Sequence, residues 1–259
     1  MQFGICTSIA NAAAMKAAGW DYIEENVQNF LQGLVPDAQW HGEALAKGAA
    51  VPIRAACCLV PADMKIVGAN VDFAKLTAYM GNVTARAKKC GIKTLVFGSG
   101  GARNVPEGFD REKAAGQITE FAKMAAALAA KNGLLIVMEH LNRKECNIVN
   151  TVGEAEGYVK QVNSPSFQNL VDCYHFWLVK ETLADLKKRL PFIKHVHVSD
   201  LAGRVPPGES GESDFRPFFA VLKEGGYDGP ISVEALGFED IAGMGPRVLA
   251  FLKRQWAEA

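Results

Sequence analysis

A chain of 259 residues, 49% apolar and 22% charged, is long enough to bury a full core and has the composition of an ordinary globular protein rather than a disordered one. Its 28 Lys and Arg balance 28 Asp and Glu, and no basic run is visible, so nucleic acid is not an expected partner. No apolar stretch reaches the roughly 20 residues that cross a bilayer, and the apolar segment from Ile5 to Ala18 follows Met1-Gln2-Phe3, which lacks the positive charge of a secretory signal.

Short β-type runs then alternate with amphipathic stretches along the whole chain. Phe3–Cys6, Tyr22–Glu25 and Ile53–Leu59 read as the first three strands. Phe73, Leu76, Met80, Val83 and Ala87 recur at helical spacing, and Gly91 stops that helix. Thr94–Phe97 is the fourth strand; Gly98-Ser-Gly-Gly101 after it lacks the full dinucleotide-binding pattern and reads as a loop. Asp110 is placed to cap a helix running through Ile118, Phe121, Met124 and Leu128 to Gly133. Leu134–Glu139 follows as the fifth strand, and Thr151-Val-Gly-Glu154 has capping-box spacing. Asn169–Asp172 and Ile193–Val198 are the sixth and seventh strands. Asp214 is read as the cap of a helix ending at Gly225-Gly226, before the eighth strand, Ile231–Glu234. Eight strands alternating with helices in about 250 residues is the rhythm of a (β/α)8 TIM barrel, expected here as one domain over residues 1–259. The alternative, a doubly wound open sheet, would call for a Gly-rich phosphate turn after an early strand.

Barrel strands alternate their side chains between the interior and the surrounding helices. Glu139 shares a face with Leu135 and Val137, Asp172 with Leu170, His197 with His195 and Ser199, and Glu234 with Ser232. Each of strands five to eight therefore carries one metal-capable side chain near its C-terminal end, where such barrels build active sites. Three carboxylates and one imidazole suit one hard or borderline divalent cation, Mn²⁺, Mg²⁺ or Co²⁺, whereas closed structural zinc sites favour thiolates. Any one of these residues alone would read as a salt-bridge partner or a solvated loop residue; four in register read as one site.

The segments Glu139-His-Leu-Asn-Arg-Lys-Glu145, Asp172-Cys-Tyr-His175, His195-Val-His197 and Val233-Glu234 resemble the ketose 3-epimerases of the xylose isomerase-like TIM-barrel superfamily. The likeness continues through Arg204-Val-Pro-Pro-Gly208 and Gly226-Tyr-Asp-Gly229, while the N-terminal half matches only in rhythm. It implies that Glu139, Asp172, His197 and Glu234 hold a divalent metal, commonly Mn²⁺. It also implies that Glu139 and Glu234 serve as acid and base, and that Glu145, His175 and Arg204 contact the substrate. The Asn-Arg-x-Glu continuation after Glu139 resembles the 3-epimerase branch rather than the hydroxypyruvate isomerase branch. Arg204 departs from the family pattern, lying one residue farther from His197 and implying a small insertion.

Other residues have plainer readings. His195 is expected to be a hydrogen-bonded core histidine, and His140, on the opposite face from Glu139, a structural one. Glu24 and Glu25 end the second strand, as supports of the site or as ordinary loop contacts. Trp40, Phe176 and Trp177 could wall a sugar pocket or simply pack. Cys57 and Cys58 could touch substrate, and a redox role is not expected of vicinal thiols. The six cysteines lack zinc-type spacing and suit a reduced, cytoplasmic protein.

The chemistry expected of this set is removal of a proton beside a ketose carbonyl; its return on the opposite face is epimerisation, which the resemblance to the 3-epimerases implies at carbon 3. Return to the neighbouring carbon would give aldose–ketose or hydroxypyruvate-type isomerisation with the same ligands, and an inosose-type dehydratase would begin identically. An endonuclease IV-like phosphodiesterase would call for more than five histidines and a basic surface; a non-catalytic sugar-binding subunit would bind ketoses without converting them. The expected partner is a small sugar, with no membrane or nucleic acid, and a homo-oligomer is compatible with the sequence.

Overall fold

The central strands carry nearly unbroken apolar runs, such as Thr94-Leu-Val-Phe97 and Leu135-Ile-Val-Met138, as parallel strands buried on both faces require. In the computed structural model, which describes residues 1–259, eight such strands close into a parallel barrel in sequence order. They are β1 (Phe3–Cys6), β2 (Tyr22–Asn26), β3 (Ile53–Cys57), β4 (Thr94–Phe97), β5 (Leu135–Glu139), β6 (Phe167–Asp172), β7 (Ile193–Val198) and β8 (Ile231–Val233). β8 pairs with β1 through Gly4 opposite Ser232, which closes the ring.

Alternation divides each strand between two environments. Ile136, Met138, Val171, Val196 and Val233 join a single core of 67 buried residues between the strands and the helices. Cys57, Val96, Val137 and Leu170 form a separate cluster of four. Its small size leaves the interior nearer the strand C-termini to polar side chains.

Helix ends follow the expected punctuation in most places. The Asp110 carboxylate accepts from Lys113 N at 2.6 Å, and the helix Arg111–Asn132 ends on Gly133 in the left-handed region at φ 68°. Thr151 accepts from Glu154 N at 3.0 Å, but Glu154 reaches back to the amide of Asn150 instead of Thr151, so the capping box closes one residue early. Asp214 does not occupy the cap position: the helix Arg216–Glu224 starts after Phe215, and Asp214 pairs with Arg216.

Strand ends differ from the sequence expectation where backbone geometry intervenes. β3 stops at Cys57 rather than Leu59 because Cys58 takes φ 58°, a left-handed turn that ends the ladder. β6 begins two residues earlier than expected, at Phe167. Bulges at Ile23/Glu24 and Asn169/Leu170 reset the registers of β2 and β6, the second setting Asp172 opposite His197. No helix is long and apolar enough to cross a membrane.

Candidate functional site

Glu139, Asp172 and His197 lie at or one residue from the ends of β5, β6 and β7, and Glu234 follows the last residue of β8. The backbone of Glu234 still donates to Val198 O at 3.1 Å, so its position remains set by the barrel. One donor atom from each of the four residues falls within 4.8 Å of the others. His197 Nδ1 lies 3.4 Å from Glu139 Oε1 and 3.4 Å from Glu234 Oε2. Glu139 Oε1 and His197 Nδ1 are buried, yet neither has a hydrogen-bond partner. Orphaned buried polar atoms are rare, and a divalent cation at their common focus would satisfy both. The structure thus holds a buried carboxylate–histidine cluster whose donor chemistry fits a divalent metal ion.

The electrostatics of the cluster point the same way. Burial raises the pKa of Glu139, and the charge of Glu234 adds to the rise. Burial and then Glu234 push Asp172 up to about 6. Burial opposes ionisation of Glu234 as well, but His197 and Arg204 outweigh it and hold that carboxyl down at about 2. Crowded carboxylates cannot all keep their charge without a compensating cation.

Below this cluster, Glu24 is fully buried and accepts from His195 Nε2 at 2.7 Å and His197 Nε2 at 2.8 Å. Ser232 Oγ donates to it at 2.6 Å and is itself bonded to Tyr22 Oη at 2.8 Å. His195 is therefore the hydrogen-bonded core residue expected of it. Glu25 turns outward and accepts the backbone amides of Ile9 and Asn26, away from the cluster.

Above the cluster opens a cavity of about 300 Å³ lined by Glu139, Glu145, His175, Arg204 and Glu234, among others. The orientation of His175 can be deduced from its neighbours. Lys144 N, which can only donate, points at Asn142 Oδ1 (3.0 Å), so the other amide atom of Asn142 is the nitrogen. That nitrogen donates to His175 Nδ1 at 2.9 Å and to Glu145 Oε1 at 2.8 Å. His175 must then accept at Nδ1, which leaves any proton on Nε2, an atom with no hydrogen-bond partner in the structure.

Arg204 reaches the site despite its extra residue because Gly203 and Arg204 both take left-handed backbone, at φ 73° and 53°. A left-handed conformation at a non-glycine residue costs about 1–3 kcal/mol. The strain is held by Leu236 N donating to Arg204 O at 2.8 Å and by the guanidinium lying over the Tyr174 ring at 4.8 Å. That guanidinium donates to Glu234 at 2.6 Å and to Glu145 at 3.3 Å, and lies 3.5 Å from Asp172 Oδ2.

Two supports were not identified from the sequence. Gly98 lines the cavity, and a Cβ there would collide with the carboxylate of Glu139, so the segment read as a plain loop is shaped around the site. Arg103 is fully buried and donates to Phe97 O at 3.0 Å and Glu139 O at 2.7 Å, tying together the ends of β4 and β5. A glycine directly after an apolar strand was the available signal for the first; nothing local marks the second.

The aromatic residues considered for a sugar wall lie elsewhere. Trp40 is packed under Arg86 and donates to Phe30 O at 2.9 Å. Phe176 and Trp177 line a different cavity, about 390 Å³, with Leu201 and Phe218; it is larger, but none of the four cluster residues faces it. His140 is buried near Glu181, and burial drives its pKa down to about 3, so it stays neutral in a structural position. Cys58 lines the site cavity and Cys57 faces the barrel interior.

Comparison with known proteins agrees with this fold. The chain is 27% identical over 266 residues to an L-ribulose 3-epimerase of Methylomonas sp., an alignment covering 99% of this chain and 87% of that one. It is 30% identical to a Mus musculus protein provisionally named hydroxypyruvate isomerase, over 141 residues that span only 51% of each chain. Its fold superposes on the crystal structure of D-psicose 3-epimerase with D-tagatose from Clostridium cellulolyticum with a TM-score of 0.86, 99% coverage of both chains and 17% identity. Relatives of this kind carry epimerase and isomerase names, and the family model for the xylose isomerase-like TIM barrel matches residues 12–254. With nearly the whole chain matched and the strand-end cluster in place, the protein belongs to the xylose isomerase-like TIM barrel family.

Proposed function

We propose that this protein is an epimerase of a small ketose, inverting carbon 3 by proton transfer between Glu139 and Glu234. The observation that carries the reading is the pairing of two glutamates in one metal-capable cluster beneath an open cavity. They come from β5 and from the end of β8, with β6 and β7 between them, so they can approach a central sugar from different sides.

Glu139, Asp172, His197 and Glu234 would hold the cation, Mn²⁺ by preference for this oxygen-rich set with Mg²⁺ or Co²⁺ as substitutes. A bound divalent ion acts as a Lewis acid that polarises the ketose carbonyl and acidifies the adjacent C–H. One glutamate takes that proton and the other returns one to the opposite face. His175 Nε2–H and the Arg204 guanidinium donate to substrate oxygens, while Glu145 accepts from a hydroxyl. Glu145 also fixes Arg204 from the solvent side, at 3.3 Å.

The same cavity argues for an uncharged sugar. Arg204 is the one cationic side chain among its lining residues, and it is already paired with Glu145, Asp172 and Glu234. A phosphate on the part of the substrate remote from the cation would meet those acids without a free positive partner.

The test is a panel of free and phosphorylated ketoses incubated with Mn²⁺-loaded protein in D₂O. The expected product is a free ketose inverted at carbon 3 and carrying deuterium there. Deuterium on the neighbouring carbon of an aldose would establish isomerisation instead. Product without solvent deuterium at any carbon would indicate a hydride shift and remove the two-glutamate mechanism.

A further inference from the structure

We infer that Glu24 is the positioning residue of the metal centre, gripping His197 through Nε2 so that Nδ1 is the atom offered to the cation. This rests on the reading of His197 as a ligand.

A fully buried carboxylate is costly unless its oxygens are satisfied. No Lys or Arg pairs with Glu24. Its partners are two imidazole N–H groups, from His195 and His197, and the Ser232 hydroxyl, at 2.6–2.8 Å. An ionised carboxylate only accepts hydrogen bonds, so both rings must present Nε2–H to it. For His197 this fixes the remaining nitrogen as the one 3.4 Å from Glu139 and Glu234. Flipping the ring would lose the bond to Glu24 and turn the free nitrogen away from the carboxylates.

The side chain reaches this place because its surroundings in the barrel are small. Glu24 is paired with Cys6 on β1 and with Ala55 on β3, and the bulge at Ile23/Glu24 sets the second of these registers. It therefore extends across the barrel toward β7. Tyr22, two residues earlier on the same strand face, holds Ser232 from behind, so β2 and β8 together clamp the ring that β7 carries. A carboxylate on the far nitrogen of a ligand histidine fixes its orientation and raises its basicity, and loss of such a partner typically costs 10–100-fold in metal affinity.

The test measures Mn²⁺ affinity from the EPR signal of the free ion, in the wild type and in Glu24→Gln, Ser232→Ala and His197→Gln. Glutamine offers a single acceptor oxygen to two imidazoles. Glu24→Gln should therefore fold but bind Mn²⁺ about 10–100-fold more weakly, and the visible bands of its Co²⁺ form should shift. Ser232→Ala keeps the charge and removes one donor, so its loss should be smaller. Weakened binding by His197→Gln together with wild-type affinity and an unchanged Co²⁺ spectrum in Glu24→Gln would overturn the proposal and leave the metal site standing. Wild-type affinity in His197→Gln would remove the ligand reading, and Glu24's role with it. Should Glu24→Gln fail to fold, Ser232→Ala decides: a wild-type affinity and spectrum there overturn the role, and a measurable shift in both supports it.

Discussion

The two halves of the barrel have the same architecture and opposite chemistry. β5 to β8 bring Glu139, Asp172, His197 and Glu234 to one focus, whereas β1, β3 and β4 end in Cys6, Cys57 and Phe97, with Gly98 next. The first half supplies no cluster ligand. It supplies room, through Gly98 and the small residues beside Glu24, and support, through Arg103 and Glu24. A barrel active site thus divides into strands that present donors and strands that make space and hold the donors still. Changes in the two halves should differ in kind as well as in size.

The sharpest test of the donor half removes what it is expected to hold. Exhaustive chelation should abolish turnover, and Mn²⁺ or Co²⁺ should restore it better than Zn²⁺, as checked by product formation with verified metal content. Free Mn²⁺ at 100 times its dissociation constant should add about 2.7 kcal/mol of stability, read as a rise in melting temperature. Asp172 titrates near about 6 in the ion-free protein because burial and Glu234 disfavour its charge. It must be ionised to bind the cation, so Mn²⁺ affinity should fall as pH drops through that range, measurable by isothermal titration at pH 5 and 8. Full activity in chelated protein would end the division of labour drawn above.

Next in size is the proposed proton-transfer pair. Glu139→Gln or Glu234→Gln should leave a folded barrel and lower turnover by about 10²–10⁴-fold, the usual contribution of a general acid or base. Gly98→Ala tests the other half without substituting any donor. Its Cβ would displace the Glu139 carboxylate, and a shift of that order costs on the order of 10²-fold in rate. Wild-type kinetics in Gly98→Ala would show that β4 makes no room that the site needs.

The difference between the halves also explains what the sequence disclosed. The donor half was legible because chemically distinctive side chains sit at matching parity near four successive strand ends, and parity can be counted along a chain. The eight-strand rhythm was legible for a similar reason, since each strand is a short local pattern. Of the supports, Glu24 could be placed at a strand end beside the site, but its partners could not. Glu24 meets His195 across 171 positions and through a bulge, and a register shift leaves no local mark. Arg103 contributes to the site by holding a backbone carbonyl of Glu139, a contact that says nothing about which residue it needs beside it. The aromatic side chains stayed open between wall and packing because their direction was unknown; Phe176 and Trp177 serve a separate aromatic cluster with Phe218.

The smallest effect expected sits where donor and support meet. Asn142 follows β5 in the donor half but acts as a support, since its amide nitrogen is shared between His175 Nδ1 and Glu145 Oε1. Asn142→Leu would leave Nδ1 without its donor, so the imidazole could carry its proton on either nitrogen and turn in its pocket. The bond proposed from His175 Nε2–H to substrate would then be present only part of the time. Leaving a buried polar group unpaired costs about 1–3 kcal/mol of stability, and the loss of orientation at the proposed substrate-binding group should appear as a higher KM. Turnover should change less, because Glu139 and Glu234 are untouched and Asn142 bonds to neither. Asn142→Asp separates orientation from donation: a carboxylate there keeps the shape but can only accept, so His175 must place its proton on Nδ1 and lose it from Nε2. Steady-state kinetics of the three proteins should rank KM as wild type below Asn142→Leu below Asn142→Asp. If the two variants are equal, the amide supports packing alone and the deduced orientation of His175 plays no part in binding.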